Sequence, residues 1–270
     1  MLLDLFRGGF SNFNLMEFVR ELLLSLIPFL TALSVHEAAH AYVAYRCGDD
    51  TAYNAGRMTL NPIRHIDPLG FLMLFIVGLG WAKPVPVNPR NFKHPRRDDL
   101  LVSMAGIFAN LLMCILGCII MYSFVFAAIK ALPEEMKYLS IGFQDVDPQY
   151  YIPFDVAIRY AYAMGDSLIV PVFGKYADYL FEMVQIFAVI NLSLALFNLL
   201  PVPPLDGYHL LNHLVLKGSL FASQNAATIG RAILYALVFT GALGKGLSFV
   251  IGHAFDGIGA AAYAVLQNFL

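Results

Sequence analysis

The 270 residues are 59% hydrophobic and only 13% charged, where a soluble domain carries roughly 25% charge. So few charges cannot cover a water-facing surface, and lipid is the simpler solvent for this chain. The formal net charge of −2 offers nothing to a nucleic-acid partner. Cys47, Cys114 and Cys118 are an odd set without a paired framework, and they read as small packing groups.

Residues 1–14 lack the basic start of a signal peptide, and the apolar run that follows outlasts an h-region. That run, residues 15–45, is long enough to cross a bilayer, which takes about 20 residues at 1.5 Å each. Pro28 inside it is a kink point. Gly48-Asp49-Asp50 reads as a turn, and residues 51–68 are polar, broken by Gly56, Asn61-Pro62 and Asp67-Pro68. Within them Arg57-Met58-Thr59-Leu60 is expected as a short strand. Residues 71–81 are apolar but too short to span, which suits a re-entrant segment. Residues 83–99 form a Pro-rich basic loop.

A second span is expected at 100–129 and a large non-membrane insert at 130–179. A third span, 180–200, is stopped by Pro201-Val202-Pro203-Pro204. A short apolar helix at 205–216, a fourth span at 233–251 and an apolar tail at 260–270 complete the chain. The expected fold is an all-α membrane protein, a polytopic helical bundle of about 4–6 transmembrane segments. It is expected as one membrane-embedded domain over residues 1–270, with its core at 15–216, an extracytoplasmic insert at 131–179 and a C-terminal span at 233–251. Residues 82–99 hold Lys83, Arg90, Lys93, Arg96 and Arg97 against Asp98 and Asp99, whereas residues 131–180 hold three basic and seven acidic side chains. The positive-inside rule therefore places the first loop in the cytoplasm and the second outside.

His36-Glu37-Ala38-Ala39-His40 lies inside the first expected span. Histidines four apart project from one helix face and can grip one ion, and the glutamate beside the first can reach a water on that ion. A purely structural cluster is the bland alternative. Each ionisable group at bilayer depth costs roughly 2.5–3.5 kcal/mol on insertion scales, so three within five residues demand compensation, which a divalent ion supplies. A zinc hydrolase needs a third protein ligand and one open position. Asp206 is the best candidate, since it follows the third span on a backbone broken by prolines, and such backbone is tolerated at depth only where it lines a cavity. Its plainer role would be to cap the next helix. His36 and His40 lie six to ten residues before Arg46, about 9–15 Å inside the membrane, and the third span ends near the same side, so the two parts can meet.

Three segments resemble the site-2 protease family of membrane-embedded zinc metalloproteases. His36–His40 is similar to the family's zinc helix, and Asn198-Leu199-Leu200-Pro201-Val202-Pro203-Pro204-Leu205-Asp206-Gly207 to its Asn-x-x-Pro-x-Pro-x-Leu-Asp-Gly motif. Gly106-Ile107-Phe108-Ala109-Asn110 is similar to its Gly-x-x-x-Asn element. The likeness extends to Thr59-Leu60-Asn61-Pro62, His65-Ile66-Asp67-Pro68 and Gly80–Pro86, and covers residues 30–210. With no room for PDZ or CBS domains, the chain resembles the small members. The resemblance implies one Zn²⁺ per chain held by His36, His40 and Asp206, with Glu37 as general base. It further implies that Asn110 lines the site and bonds the substrate backbone. It also suggests a short membrane-associated β element near residues 56–62 and 83–88, pairing with extended substrate. Arg57 and Thr59 then become substrate-binding residues.

His65, in a Pro-bracketed loop, is either a substrate contact or a plain loop residue. His209 and His213, four apart but without an adjacent acid, read as polar packing rather than a second metal pair. His94 belongs to the basic loop, and His253 follows the last span. The implied function is intramembrane cleavage of a protein substrate, a transmembrane helix, within the lipid bilayer, in the cell membrane if the source is bacterial. The same His/Glu/Asp cluster would suit a metal or ion transporter, although no repeat symmetry is visible. A non-catalytic binding module is the other alternative, against which the intact Glu37 stands.

Overall fold

The computed structural model describes residues 14–77, 81–131, 169, 172–214 and 224–269. Helix α1, Leu15–Cys47, starts at Asn14, whose Oδ1 accepts the Met16 and Glu17 N–H groups as an N-cap. It continues through the buried Pro28 and stops at Gly48, where a φ of 107° reverses the chain. A single turn, α2, Thr51–Asn54, follows. Helix α3, Pro68–Val77, is capped by Asp67 Oδ1 on the Leu69 and Gly70 N–H groups. Its 10 residues reach about 15 Å, half a hydrocarbon core.

Helix α4, Pro95–Ala131, has proline at its first position, where no N–H is required. Helix α5, Lys175–Asn198, gives way to the proline-rich link, and the short helix α6, Asp206–Leu214, follows. Helices α7, Gln224–Phe239, and α8, Ala242–Leu266, complete the described chain. Four of these helices (α1, α4, α5 and α8) are long and apolar enough to cross a membrane.

The surface of α4 shows what solvent it meets. Phe108, Leu111, Leu112, Ile115, Leu116 and Ile119 are all exposed, and their spacing traces one helical stripe. The opposite side buries Ile107, Asn110, Cys114, Cys118 and Met121. A large apolar stripe facing outward and a polar residue facing inward is the arrangement of a helix in lipid.

Two expectations are corrected. The span placed at 233–251 is divided at Thr240-Gly241, where Gly241 adopts a φ of 72°. The helix long and apolar enough to cross a membrane is α8, and apolar composition alone did not reveal the break. The β element placed near 56–62 and 83–88 is likewise not formed. Among the described residues there is no strand, and one antiparallel bridge joins Ile66 to Ala82. Prolines 62, 84, 86 and 89 remove the N–H donors that a ladder needs. Most of the insert expected at 131–179 lies outside the described residues.

The chain divides into two compact units. The first, Met1–Leu112 with Leu194–Thr240, contains His36, Glu37, His40, Asn110 and Asp206. In it Ala44, Cys47, Phe92 and Val102 form a small core, with Val43 and Val87 against it, which fastens the loop before α4 onto the end of α1. Fully buried Asp49 ties the same loop, accepting from Asn88 N–H at 2.7 Å and Asn91 Nδ2 at 2.8 Å. In the second unit, Met113–Ser193 with Gly241–Leu270, the described residues bury Met121, Val125, Phe181 and Ala188 together with Asp178 and Asn191. Phe124 and Phe181 approach with centroids 6.3 Å apart, and Cys114 and Cys118 are buried free thiols.

Candidate metal centre

His36 and His40 stand one turn apart on α1, both buried, with their rings nearly perpendicular at a centroid distance of 4.6 Å. Their Nε2 atoms are 3.0 Å apart. Asp206, in the first turn of α6, brings Oδ2 to 3.3 Å from each of them. The proline-rich link delivers this carboxylate, and Gly207 lets it close in. A Cβ on Gly207 would sit 2.2 Å from Leu199 O, so only glycine allows α6 to fold back on the end of α5.

The other ring nitrogens determine what the cluster can do. His40 Nδ1 is 2.7 Å from the Val102 carbonyl, and His36 Nδ1 is 3.1 Å from Asn110 Oδ1. Both partners are acceptors, so each Nδ1 holds the proton and each Nε2 of the neutral ring presents a bare lone pair. Two lone pairs and a carboxylate oxygen thus converge without a proton between them. Asp206 Oδ2 is buried and takes no hydrogen bond. Such a meeting of acceptors is repulsive unless a cation occupies it. Ligands about 2.0–2.1 Å from a tetrahedral zinc lie about 3.3 Å from one another; the two histidine–carboxylate separations match this at 3.3 Å, and the two imidazole nitrogens are closer, at 3.0 Å.

Space is kept by α4. A Cβ on Gly106 would fall 2.5 Å from His40 Nε2 and 2.5 Å from His36 Cε1. Any side chain there would invade the cluster. Glu37, 9% exposed, lies beside it, and its Oε2 accepts the Val85 N–H at 2.9 Å. Asn110 is fully buried, and its Nδ2 has no partner.

The structure therefore brings His36, Glu37, His40, Asn110 and Asp206 together. The other expected site residues are bound into the neighbouring loop. Arg57 Nη2 donates to Lys83 O at 2.6 Å, and buried His65 donates from Nε2 to Thr59 O at 2.7 Å. Thr59 Oγ1 accepts from Asn61 N–H at 3.2 Å. Sequence reading passed over Val85 and Val102, which act through backbone atoms and leave no residue-type signal. It also passed over Asp99, whose partners His209 and His213 lie 110 and 114 positions away.

The model of peptidase family M50 matches residues 24–240. The chain belongs to peptidase family M50, the site-2 protease family. This M50 peptidase is a metalloprotease and an integral membrane protein, and its His-His-Asp centre fits a zinc cofactor. It is 36% identical over 227 residues to YwhC of Bacillus subtilis (strain 168), covering 82% of this chain and 84% of YwhC. Against Rip2 of Mycolicibacterium smegmatis (strain ATCC 700084 / mc(2)155) it is 24% identical over 255 residues, with 93% and 80% covered. Both relatives have names that assign them provisionally as zinc metalloproteases. No solved structure matches the chain.

Proposed function

We propose that this M50 peptidase hydrolyses peptide bonds in or near transmembrane segments of membrane-protein substrates. One observation supports this above others: two bare imidazole nitrogens and a carboxylate oxygen converge at 3.0–3.3 Å beside Glu37 within the apolar core. In the proposed assignment His36, His40 and Asp206 hold one zinc ion. When bound, zinc lowers the pKa of a water towards 7 and polarises the scissile carbonyl.

Glu37 then acts as general base. Its carboxylate removes the water's proton and returns it to the leaving amine. The Val85 N–H fixes one carboxylate oxygen and leaves the other for that transfer. Asn110 uses both ends of its amide. Oδ1 holds the His36 tautomer, and the unpartnered Nδ2 is available to the peptide carbonyl as negative charge develops. Arg57, Thr59 and His65 act indirectly, by holding the 82–85 backbone beside Glu37. In the proposed orientation residues 82–99 face the cytoplasm and 131–179 lie outside, in the cell membrane of a bacterium.

Metal content and cleavage of a model transmembrane substrate, measured on the same detergent-purified samples, test this reading. Wild type is expected to hold about one zinc and to cleave. Glu37→Gln should retain zinc without cleaving, and Asp206→Ala should lose zinc. Cleavage by Glu37→Gln at the wild-type rate would remove the role given to Glu37.

A further inference from the structure

Asp206, His209 and His213 stand three and four residues apart on α6, and so share one side of the helix. Asp206 reaches the metal centre. The two histidines reach Asp99, which lies near the start of α4. His209 Nδ1 is 3.1 Å from Asp99 Oδ2, and His213 Nε2 is 2.5 Å from the same oxygen. Asp99 sits at the end of α4 that also supplies Val102, Gly106 and Asn110, the groups that shape and orient His36 and His40.

The two His/His/Asp groups differ in kind. At the metal centre both Nδ1 protons are committed to carbonyl acceptors, and acceptors face acceptors. Around Asp99, two ring nitrogens converge on a single carboxylate oxygen at hydrogen-bond length. Each can donate a proton to it in the appropriate tautomer. One separation is well below the roughly 3.3 Å spacing of zinc ligands. The second group is thus complete as a hydrogen-bonded pair of contacts and needs no ion.

We propose that Asp99, His209 and His213 form a latch that positions Asp206. A single contact would let α6 swivel. Two contacts a turn apart set its rotation and its axial register against α4, while Gly207 pins the other end against Leu199 and Leu200. The carboxylate is thereby held where the α1 histidines require it. Asp99, His209 and His213 are positioning residues. The inference rests on the assignment of Asp206 as a zinc ligand.

The test is zinc affinity, measured on the full purified chain in detergent by competition with a chromogenic chelator. Wild type is compared with Asp99→Ala, Asp99→Asn, His209→Gln/His213→Gln, Asp206→Ala and Asp99→Ala/Asp206→Ala. The expected result is a 10–100-fold loss for Asp99→Ala, the usual effect of removing a group that orients a ligand. Asp99→Asn, which keeps an acceptor oxygen, should lose less. Adding Asp99→Ala to Asp206→Ala should change nothing more, because the latch acts through that ligand. The visible spectrum of the Co²⁺-substituted protein should shift in Asp99→Ala towards that of Asp206→Ala. If Asp99→Ala does not fold, the double glutamine variant makes the same comparison. Unchanged affinity in the latch variants would overturn the proposal, as would an equal loss with or without Asp206. Two zinc ions per wild-type chain, the second lost in Asp99→Ala, would replace the latch with a metal site. Wild-type affinity in Asp206→Ala would instead remove the ligand assignment and the latch with it.

Discussion

Glu37 Oε2 accepts the backbone N–H of Val85 at 2.9 Å, so the side chain proposed as the general base is oriented by a loop 48 residues away. That loop is held in turn. Lys83 N–H donates to His65 O at 2.9 Å, and Arg57 Nη2 reaches Lys83 O at 2.6 Å. Pro84 and Pro86 flank the donor and restrict its backbone. Orientation of Glu37 therefore passes from the buried Arg57 and His65 through a stiff extended segment, with no side chain of that segment needed.

Arg57→Ala should separate this brace from the metal. It removes the donor to Lys83 O and leaves zinc content unchanged, since Arg57 touches no ligand. With Glu37 less well held, cleavage should fall by roughly tenfold or more, within the range of general-base contributions. Kinetics with a model substrate, alongside zinc analysis, check this. Loss of zinc in Arg57→Ala would show that the brace supports the metal site itself.

Gly106→Ala should be far more damaging than its size suggests. The added methyl would meet His40 Nε2 and His36 Cε1 at 2.5 Å, well inside van der Waals contact. Either the histidines move apart or α4 withdraws, and in both cases the ligand spacing is lost. Zinc affinity should drop by at least the 10–100-fold seen when ligand orientation is disturbed, while the helix content by circular dichroism stays. Full zinc occupancy in Gly106→Ala would contradict the packing described here.

The clustering of the proposed ligands and base was legible because their chemistry is local. His36, Glu37 and His40 are adjacent on one helix, and Asp206 is marked by three prolines and a glycine. Helix existence was legible for α1, α4 and α5, where long apolar runs leave little choice. The break at Gly241 was not, because apolar composition does not distinguish a continuous helix from two with a turn between them. The β element failed for another reason. Strand pairing depends on partners, and the proline-rich segment 83–88 stays extended by its own backbone restriction and offers few donors. Asp99 was hidden because its meaning lies in contacts with His209 and His213, more than a hundred residues on.

Asp49 sets an acid limit on stability. Burial pushes its carboxyl up, but hydrogen bonds from Thr51, Asn88 and Asn91 outweigh this and hold it below the usual carboxylate range. A folded value below the unfolded one, about 3.9, means stability is fully present above about pH 4 and is lost as pH falls further. Asp49→Asn keeps one acceptor but turns an amide donor towards donors, which should cost about 1–3 kcal/mol at neutral pH. Its thermal unfolding in detergent should also vary less than that of wild type between about pH 4 and 3. Parallel pH profiles for the two proteins would show that Asp49 is not the linked group.

Asn110 lets metal holding and chemistry be told apart. Asn110→Ala removes the acceptor from His36 Nδ1 and leaves that buried N–H unpaired, so zinc affinity should fall by about 10–100-fold. Asn110→Asp keeps an oxygen for His36 but loses the Nδ2 donor, which has no other partner. Zinc should then stay bound, and kcat should fall by about 10²–10³, the usual effect of deleting one donor to a developing oxyanion. Zinc competition and single-turnover cleavage at saturating zinc measure the two effects separately. Wild-type kcat in Asn110→Asp would confine Asn110 to orienting His36, and normal zinc affinity in Asn110→Ala would remove that role as well.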